Sequence, residues 1–422
     1  MFFNRAARQR SRAEARAPGW VDLLGGPSRH QGALVLQMPL SREVHVTVEE
    51  VEGHGVTVEQ AGGEPVELDF RPFKEALRRR APRHQLRALF KRAEVPERAR
   101  LPLGSLLIFS ETRVWVFGEG LRISIRSEVP AGGGLGASSA VQIAVLLALE
   151  KVAGRQFLST EAGRIAHQAR RDLIGDSSTL ADTLAPAHAE AGALLPVLCR
   201  PDELFPLARM PEDLLVVGWP GAEAGKARRE ALLRSRTAAF MGRKILERCL
   251  GRAWHYSAEI PLSLFLRHAR ENVPLRMKGS LFTELVDTAI EPPLRVCPSE
   301  TYEVNAALRF PIEEHFRCTL ALSLLRGLDA DNREEILGQV GELMLQSHEG
   351  LAPAGLGCAE ADRRVDALMD LGPDRGVYGA RLCGDGVEGT VVALVSRQGL
   401  SHAQAMLART TPPGEEPPRL VH

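Results

Sequence analysis

The segment Pro130-Ala-Gly-Gly-Gly-Leu-Gly-Ala-Ser-Ser-Ala140 constrains this chain more than any other. Before it, Leu121-Arg-Ile-Ser-Ile-Arg-Ser-Glu-Val129 alternates apolar and polar residues and predicts a strand. After it, Val141–Glu150 is an apolar run long enough for a buried helix. A strand, a glycine loop and a helix in that order present backbone N–H groups to an anion, and the helix dipole adds to the attraction. No Gly-Lys-Ser or Gly-Lys-Thr follows the glycines, so this is not the common phosphate loop. A nucleotide kinase of another design is the first idea to test. The alternative is a tight strand-to-helix turn with no ligand.

At 422 residues the chain is long enough for two domains or two lobes. Its 53 basic and 53 acidic residues cancel, which argues against nucleic acid as a partner. The six cysteines show no Cys-x-x-Cys spacing. They predict reduced thiols in a cytoplasmic protein and supply no metal site. No apolar run suits a signal peptide or a membrane span. Arg5, Arg8, Arg10, Arg12 and Arg16 crowd residues 1–16, which read as a basic disordered tail. The Pro-rich residues 406–422 read as a second one.

Strands are predicted at Ala33–Met38, Glu43–Glu49, across 54–70, near Leu106–Phe109 and Val114–Phe117, and at 192–199 and 214–218. Residues 71–99 read as a solvated helix pair. Helices are also predicted over 141–195 (broken near Gly175), 228–250, 263–272, 314–327 and 332–348. Two more strands fall at 379–383 and 389–396. Strands and helices mix without regular alternation, so the fold class is α+β.

Three segments in this order resemble the GHMP kinases, the family that includes galactokinase and mevalonate kinase. They are Gly19–Gly32, similar to the sugar motif of galactokinases; the glycine loop at 130–140; and Val377–Thr390, similar to their last glycine motif. Gly25-Gly26, Leu34–Pro39, Arg236–Gly242, Glu300-Thr-Tyr302, Glu314-His-Phe-Arg317, Gln346-Ser-His348 and Gly355-Leu-Gly357 resemble the L-arabinokinase and galactokinase-like branch. The resemblance runs from about residue 17 to 397. It implies a two-lobed fold: an N-terminal lobe like domain 2 of ribosomal protein S5 over 17–210, and a ferredoxin-like lobe over 211–405.

The resemblance also implies chemistry. Gly132, Gly133, Gly134, Gly136, Ala137, Ser138 and Ser139 would hold the phosphates of ATP, with Ser138 on Mg2+. Asp182 falls on the family's base, which takes the proton of a sugar hydroxyl as phosphate arrives. The alternative for Asp182, taken alone, is a helix cap or a solvated carboxylate. Asp22, Arg29, His30, Gly384 and Gly386 would bind a sugar or sugar-acid substrate. Several positions depart from the pattern. Trp20 replaces a phosphate-steadying arginine, and Arg29 and His30 replace an aspartate and a tyrosine at the sugar. Arg170 stands where a metal-binding glutamate is expected, and Asp385 and Glu388 replace glycines. Two readings follow. In one, the site is rewired, with Arg29 or Arg170 supplying the missing cation and Asp172 or Asp176 the missing carboxylate. In the other, a lapsed kinase keeps the fold and binds a sugar, a nucleotide or a protein.

Overall fold

The structure, a computed structural model, describes residues 11–154, 156, 158–176, 178–200, 202–221, 225–286, 288–290 and 293–410. The tails expected at 1–16 and 406–422 lie outside it at residues 1–10 and 411–422. Their inner parts are ordered elements: Arg12 and Arg16 lie in strand β1 (Arg12–Leu24), and helix α13 runs through Gly399–Thr410. The chain forms two compact units, each assembled from separated stretches. The first takes in the described residues through Gly19, then Arg42–Val129 and Gly136–His188. The second takes in Trp20–Ser41, Pro130–Leu135 and everything described from Ala189 onward.

In the first unit, β2 (Leu34–Val51) contributes its C-terminal half. It is followed by β3 (Gly55–Gln60), β4 (Val66–Asp69) and, after three helices, β5 (Gly120–Ser127). Their order is β4-β3-β5-β2. Val44, Val46 and Val48 are buried while His45, Thr47 and Glu49 are not, as the alternating sequence predicts. β2 and β5 pair antiparallel from Val44↔Ser127 to Val51↔Gly120, and β3 runs parallel to β5. Helices α1 (Arg71–Arg78) and α2 (Arg83–Arg92) are the expected solvated pair.

The strands expected at Leu106–Phe109 and Val114–Phe117 are absent. Leu106–Phe109 lies inside α3 (Glu97–Arg113), and Val114 is its left-handed C-cap. A four-residue apolar run cannot separate a strand from a buried helix. Here Pro102–Ser110 is buried without interruption, so the helix is covered all round and shows no polar face to reveal its period. It packs on α4 (Ala137–Val152), and α5 (Ser159–Gln168) and α6 (Leu180–Ala187) pack on α4 in turn.

In the second unit, the N-terminal half of β2 pairs antiparallel with β6 (Ala193–Leu198), from Leu34↔Leu198 to Gln37↔Leu195. Short strands β7 (Glu203–Leu204) and β8 (Ala208–Arg209) flank β6. β9 (Leu214–Trp219) later joins a separate antiparallel sheet. Between them in sequence lie α7 (Lys226–Leu250), α8 (Leu262–Asn272), β10 (Met277–Lys278), α9 (Gly279–Leu285), β11 (Thr301–Tyr302), α10 (Val304–Arg326), α11 (Arg333–Glu349) and α12 (Ala359–Met369). The sheet is completed by β12 (Val377–Leu382) and β13 (Val391–Ser396), in the order β12-β13-β9. Helix α10 begins ten residues before the expected 314. Pro311 suggests a boundary there, but Val304, Ala307 and Leu308 bury the preceding turns against α7 and carry the helix through it. Every residue of β12 is buried, and Arg381 is its only charge. No helix among the described residues is long and apolar enough to cross a membrane.

The buried course of α3 has a measurable consequence. Leu107 is fully buried, so Leu107→Ala should lower unfolding stability by about 2–4 kcal/mol. A urea titration that showed less than about 1 kcal/mol would place this side chain at a surface instead.

Candidate active site

The glycine segment lies between β5 and α4, as the sequence predicts. Gly132, Gly134 and Gly136 all have positive φ, so the loop turns at alternate residues. The part in the second unit is tied down there. Trp20 donates its N–H to the Leu135 carbonyl at 3.0 Å. The Thr390 hydroxyl donates to the Gly133 carbonyl and accepts the N–H of Gly221. Gly136 then caps α4 with no side chain to occupy the first-turn N–H groups. This is the arrangement that a helix offers to an anion.

Ala137, Ser138 and Ser139 form that first turn. Ser138 is exposed and Ser139 buried. Arg170, only 5% exposed, reaches them: Nη2 donates to Ser138 Oγ at 2.8 Å and to Ser139 Oγ at 3.5 Å. Nε donates to Gln142 Oε1 at 2.5 Å and Nη1 to Asp176 Oδ2 at 2.8 Å. Gln142, the one polar residue in Val141–Leu149, is itself fixed by Ser105 Oγ and the Ala166 carbonyl. Arg170 and Asp176 meet because α5 runs into a π-helical turn, Ala169–Ile174. Gly175 and Asp176 both donate their N–H to the Arg170 carbonyl, with Gly175 left-handed. The chain doubles back there and returns Asp176 to the Arg170 side chain. Asp172 faces elsewhere, paired to Arg83 and Arg171.

Asp182 is nine-tenths buried near the start of α6. Its Oδ2 accepts the Thr179 N–H at 2.7 Å and the Thr179 hydroxyl at 3.1 Å, so it closes the N-terminus of that helix.

Asp22, Arg29 and His30 come together in the second unit. Asp22 lies near the end of β1, and Arg29 and His30 sit in a 3-10 turn, Gly26–Gln31. Arg29 forms a buried ion pair with Asp22, donates Nε to the Gly26 carbonyl at 2.9 Å, and lies with Cζ 5.1 Å from the centre of the Trp20 ring. A cation thus packs on the ring that stands in the place of the expected arginine. Asp385 lies 3.2 Å from His30 Nε2 and 3.7 Å from Arg29 Nε. Burial alone would raise its pKa, but His30, Arg29 and Arg236 hold the carboxyl well below the usual carboxylate range.

Gly384 and Gly386 lie in the turn after β12, and Gly386 accepts the N–H of Gly357. Glu388 closes this turn. Its carboxyl sits against Gly134 and Gly384, where an added Cβ would stand 3.2 Å and 3.1 Å from it, and both glycines have positive φ. Burial first, and then the charge of Asp385, push Glu388 up to about 7.

Sequence reasoning did not single out Glu314 or Arg381 individually. Both are fully buried. Glu314 accepts the N–H of Gly25 at 2.8 Å, the Ser347 hydroxyl at 2.7 Å and Arg317 Nε at 2.8 Å, with Arg381 3.9 Å away. Burial would raise its pKa, but the two guanidiniums hold it below the usual value. A lone charge inside an apolar strand, Arg381, was the available signal.

The donors at Ser138 do not fit a divalent cation. Its hydroxyl accepts from a guanidinium, and the nearby carboxylate, Asp176, is paired to the same guanidinium. No group of three or more acidic, His or Cys side chains suited to a metal occurs among the described residues.

Comparison with solved structures gives the fold. The galactokinase of Lactococcus lactis, solved in complex with galactose, superposes with a TM-score of 0.70 at 16% identity, over 94% of this chain and 89% of that one. The mevalonate kinase of Methanococcus jannaschii gives 0.58 at 13% identity, over 99% and 98%. The fold is the two-lobed α+β fold of these kinases. In sequence, residues 101–190 match the GHMP kinases N terminal domain. An L-arabinokinase of Arabidopsis thaliana is 25% identical over 93% of this chain and 43% of its own length. A galactokinase of Chloroflexus aurantiacus is 27% identical over 68% of this chain and 63% of its own. The chain thus spans less than two thirds of either relative. It carries the GHMP kinase N-terminal domain and has homologues among the L-arabinokinases and galactokinases.

The position of Glu388 makes stability depend on pH. Its folded pKa, about 7, lies above the ordinary 4.5. Its contribution is therefore fully present below pH 4.5 and is lost as pH rises through 7. Glu388→Gln should stabilise the protein relative to wild type at pH 8.5, by on the order of 2 kcal/mol, and not at pH 4.5. Parallel melting curves at the two pH values check this, and an equal offset at both would contradict it.

Proposed function

We propose that the chain is an ATP-dependent sugar kinase that phosphorylates the anomeric hydroxyl of a monosaccharide. One observation carries the reading: the strand–glycine–helix segment with an uncapped helix N-terminus lies in a chain that is similar to an L-arabinokinase over 93% of its length. In this reading Gly132, Gly133, Gly134 and Gly136 let the backbone approach the phosphates, and Ala137, Ser138 and Ser139 present the first turn of α4. Asp22, Arg29, His30, Gly384 and Gly386 shape the sugar site. Because Asp22 neutralises Arg29 inside the protein, a neutral sugar suits this site better than a sugar acid. The free cysteines support a cytoplasmic location.

Phosphoryl transfer needs positioning and charge neutralisation more than covalent chemistry. Asp182 takes the proton of the attacking hydroxyl as the bond to phosphorus forms. Neutralisation falls to the chain's own cations and to the α4 terminus. A second reading, a lapsed kinase that retains ligand binding, is favoured by two contacts: Asp182 is engaged as a helix cap, and Arg170 occupies the Ser138 hydroxyl.

Release of ADP over a panel of aldoses and sugar acids separates the two. The kinase reading expects turnover of at least one neutral sugar. It also expects Asp182→Asn to lower kcat by about a hundredfold or more with little change in KM. No turnover of any sugar, with melting still raised by nucleotide or sugar, would establish the lapsed reading.

A further inference from the structure

We infer that Arg170 takes the place of a divalent cation at the start of α4, so that this chain binds a nucleoside triphosphate without Mg2+. The inference rests on the nucleotide-binding part of the proposed function. It goes beyond it by naming the cation that the site uses.

Three observations carry it. First, the guanidinium is fixed on every side. Nε is held by Gln142, Nη1 by Asp176, and Nη2 by the hydroxyls of Ser138 and Ser139. Gln142 is fixed in turn from α3 and α5 by Ser105 and Ala166. A side chain anchored this way cannot swing aside to admit an ion at Ser138. Second, the donor set is wrong for a divalent cation. Mg2+ demands near-octahedral oxygen ligands and usually one or two carboxylates. The Ser138 oxygen and the Asp176 carboxylate are both already spent on a cation. Third, one carboxylate faces two positive ends, the guanidinium and the helix terminus. A positive charge beside a helix N-terminus is repelled by the helix dipole, and Asp176 is the one acidic partner of Arg170 among the described residues. A polyphosphate at the first turn of α4 would offset both positive ends together.

The local backbone serves this arrangement. On a continuous α-helix, residues 170 and 176 would point to different faces. The π-helical turn at Ala169–Ile174 and the left-handed Gly175 reverse the chain and set Asp176 against Arg170. Single π turns of this kind recur at functional sites. Arg170 supplies its charge beside the first turn of α4, and its signature is metal dependence rather than loss of fold.

The test is calorimetric titration of the full chain with ATP in EDTA and again in excess MgCl2. The expected result is two dissociation constants within about threefold of each other. Binding only with Mg2+, or binding tightened tenfold or more by it, would overturn the inference and leave the kinase reading standing. No binding in either buffer would overturn the nucleotide reading and this inference with it. Arg170→Glu supplies a second arm. With a second carboxylate beside Asp176 and the Ser138 hydroxyl, ATP binding should weaken tenfold or more in EDTA and recover on adding Mg2+. The same loss in both buffers, in a variant that melts as wild type does, would count against the substitution of charge for metal.

Discussion

The second unit is organised around one buried carboxylate. Glu314 carries a full charge at no exposure, and four separate stretches of sequence supply what it needs: the Gly25 N–H, Arg317 one turn along its own helix, the Ser347 hydroxyl of α11, and Arg381 of β12. Removing one partner from such a buried set costs about 3–5 kcal/mol, because the remaining charge is left uncompensated. The tight turn at Gly25-Gly26, the direction of α10 and the end of β12 therefore depend on one another. Arg29 and His30 follow Gly25 within one short turn, and Gly384 and Asp385 follow Arg381. The groups proposed to meet the sugar are set by a network that does not itself do chemistry.

The changed positions form two local solutions, one in each unit. In the second unit, Trp20 and Arg29 pack together: the ring is covered by the guanidinium, and Asp22 balances its charge. In the first, Arg170 is paired with Asp176, across a π turn that allows them to meet. A decayed site would leave charges stranded, since each unpaired buried charge costs several kcal/mol. Here each new cation has a carboxylate within ion-pair distance. That pattern fits retuning of charge better than loss of constraint, although Asp182, with Oδ2 closing a helix end, does structural work as well.

Much of this was legible in the residues. The alternation of β2 and β5, the glycine segment and the apolar run of α4 follow from periodicity and from turn chemistry. The strands wrongly expected at 106–117 mark a real limit: a helix buried on all sides loses the polar stripe that reveals its period. Helix α10, expected over 314–327, starts at Val304, because packing against α7 carries it through Pro311, a residue that is discouraged inside helices. At the site, the departures at positions 20, 29, 170, 385 and 388 could be read, but their partners could not. Arg170 and Ser138 are 32 residues apart, and Glu314 and Gly25 are 289 apart. Pairings at such separations are created by topology, and no local spacing encodes them. The segments similar to L-arabinokinase at 25–26, 314–317 and 346–348 turn out to share Glu314, so part of that likeness records packing rather than catalysis.

The interleaving of the two units also bears on how the protein is made. A ribosome delivers every stretch of the first unit by His188, whereas the second needs Trp20–Ser41 together with chain from Ala189 onward. Trp20–Leu24 and Leu34–Leu36 are buried in the finished protein. β2 pairs with β1, but the β6 strand that pairs with Leu34–Gln37 emerges only later, and Gly25 meets its carboxylate only 289 residues after its own synthesis. At about 5–20 residues per second that is a wait of roughly 15–60 s. For part of this interval the β6-facing edge of β2 is unpaired, on a chain whose first unit is free to fold. Yield from a cell should therefore respond to translation speed and to chaperones that shield nascent strands, more than to the stability of the finished fold.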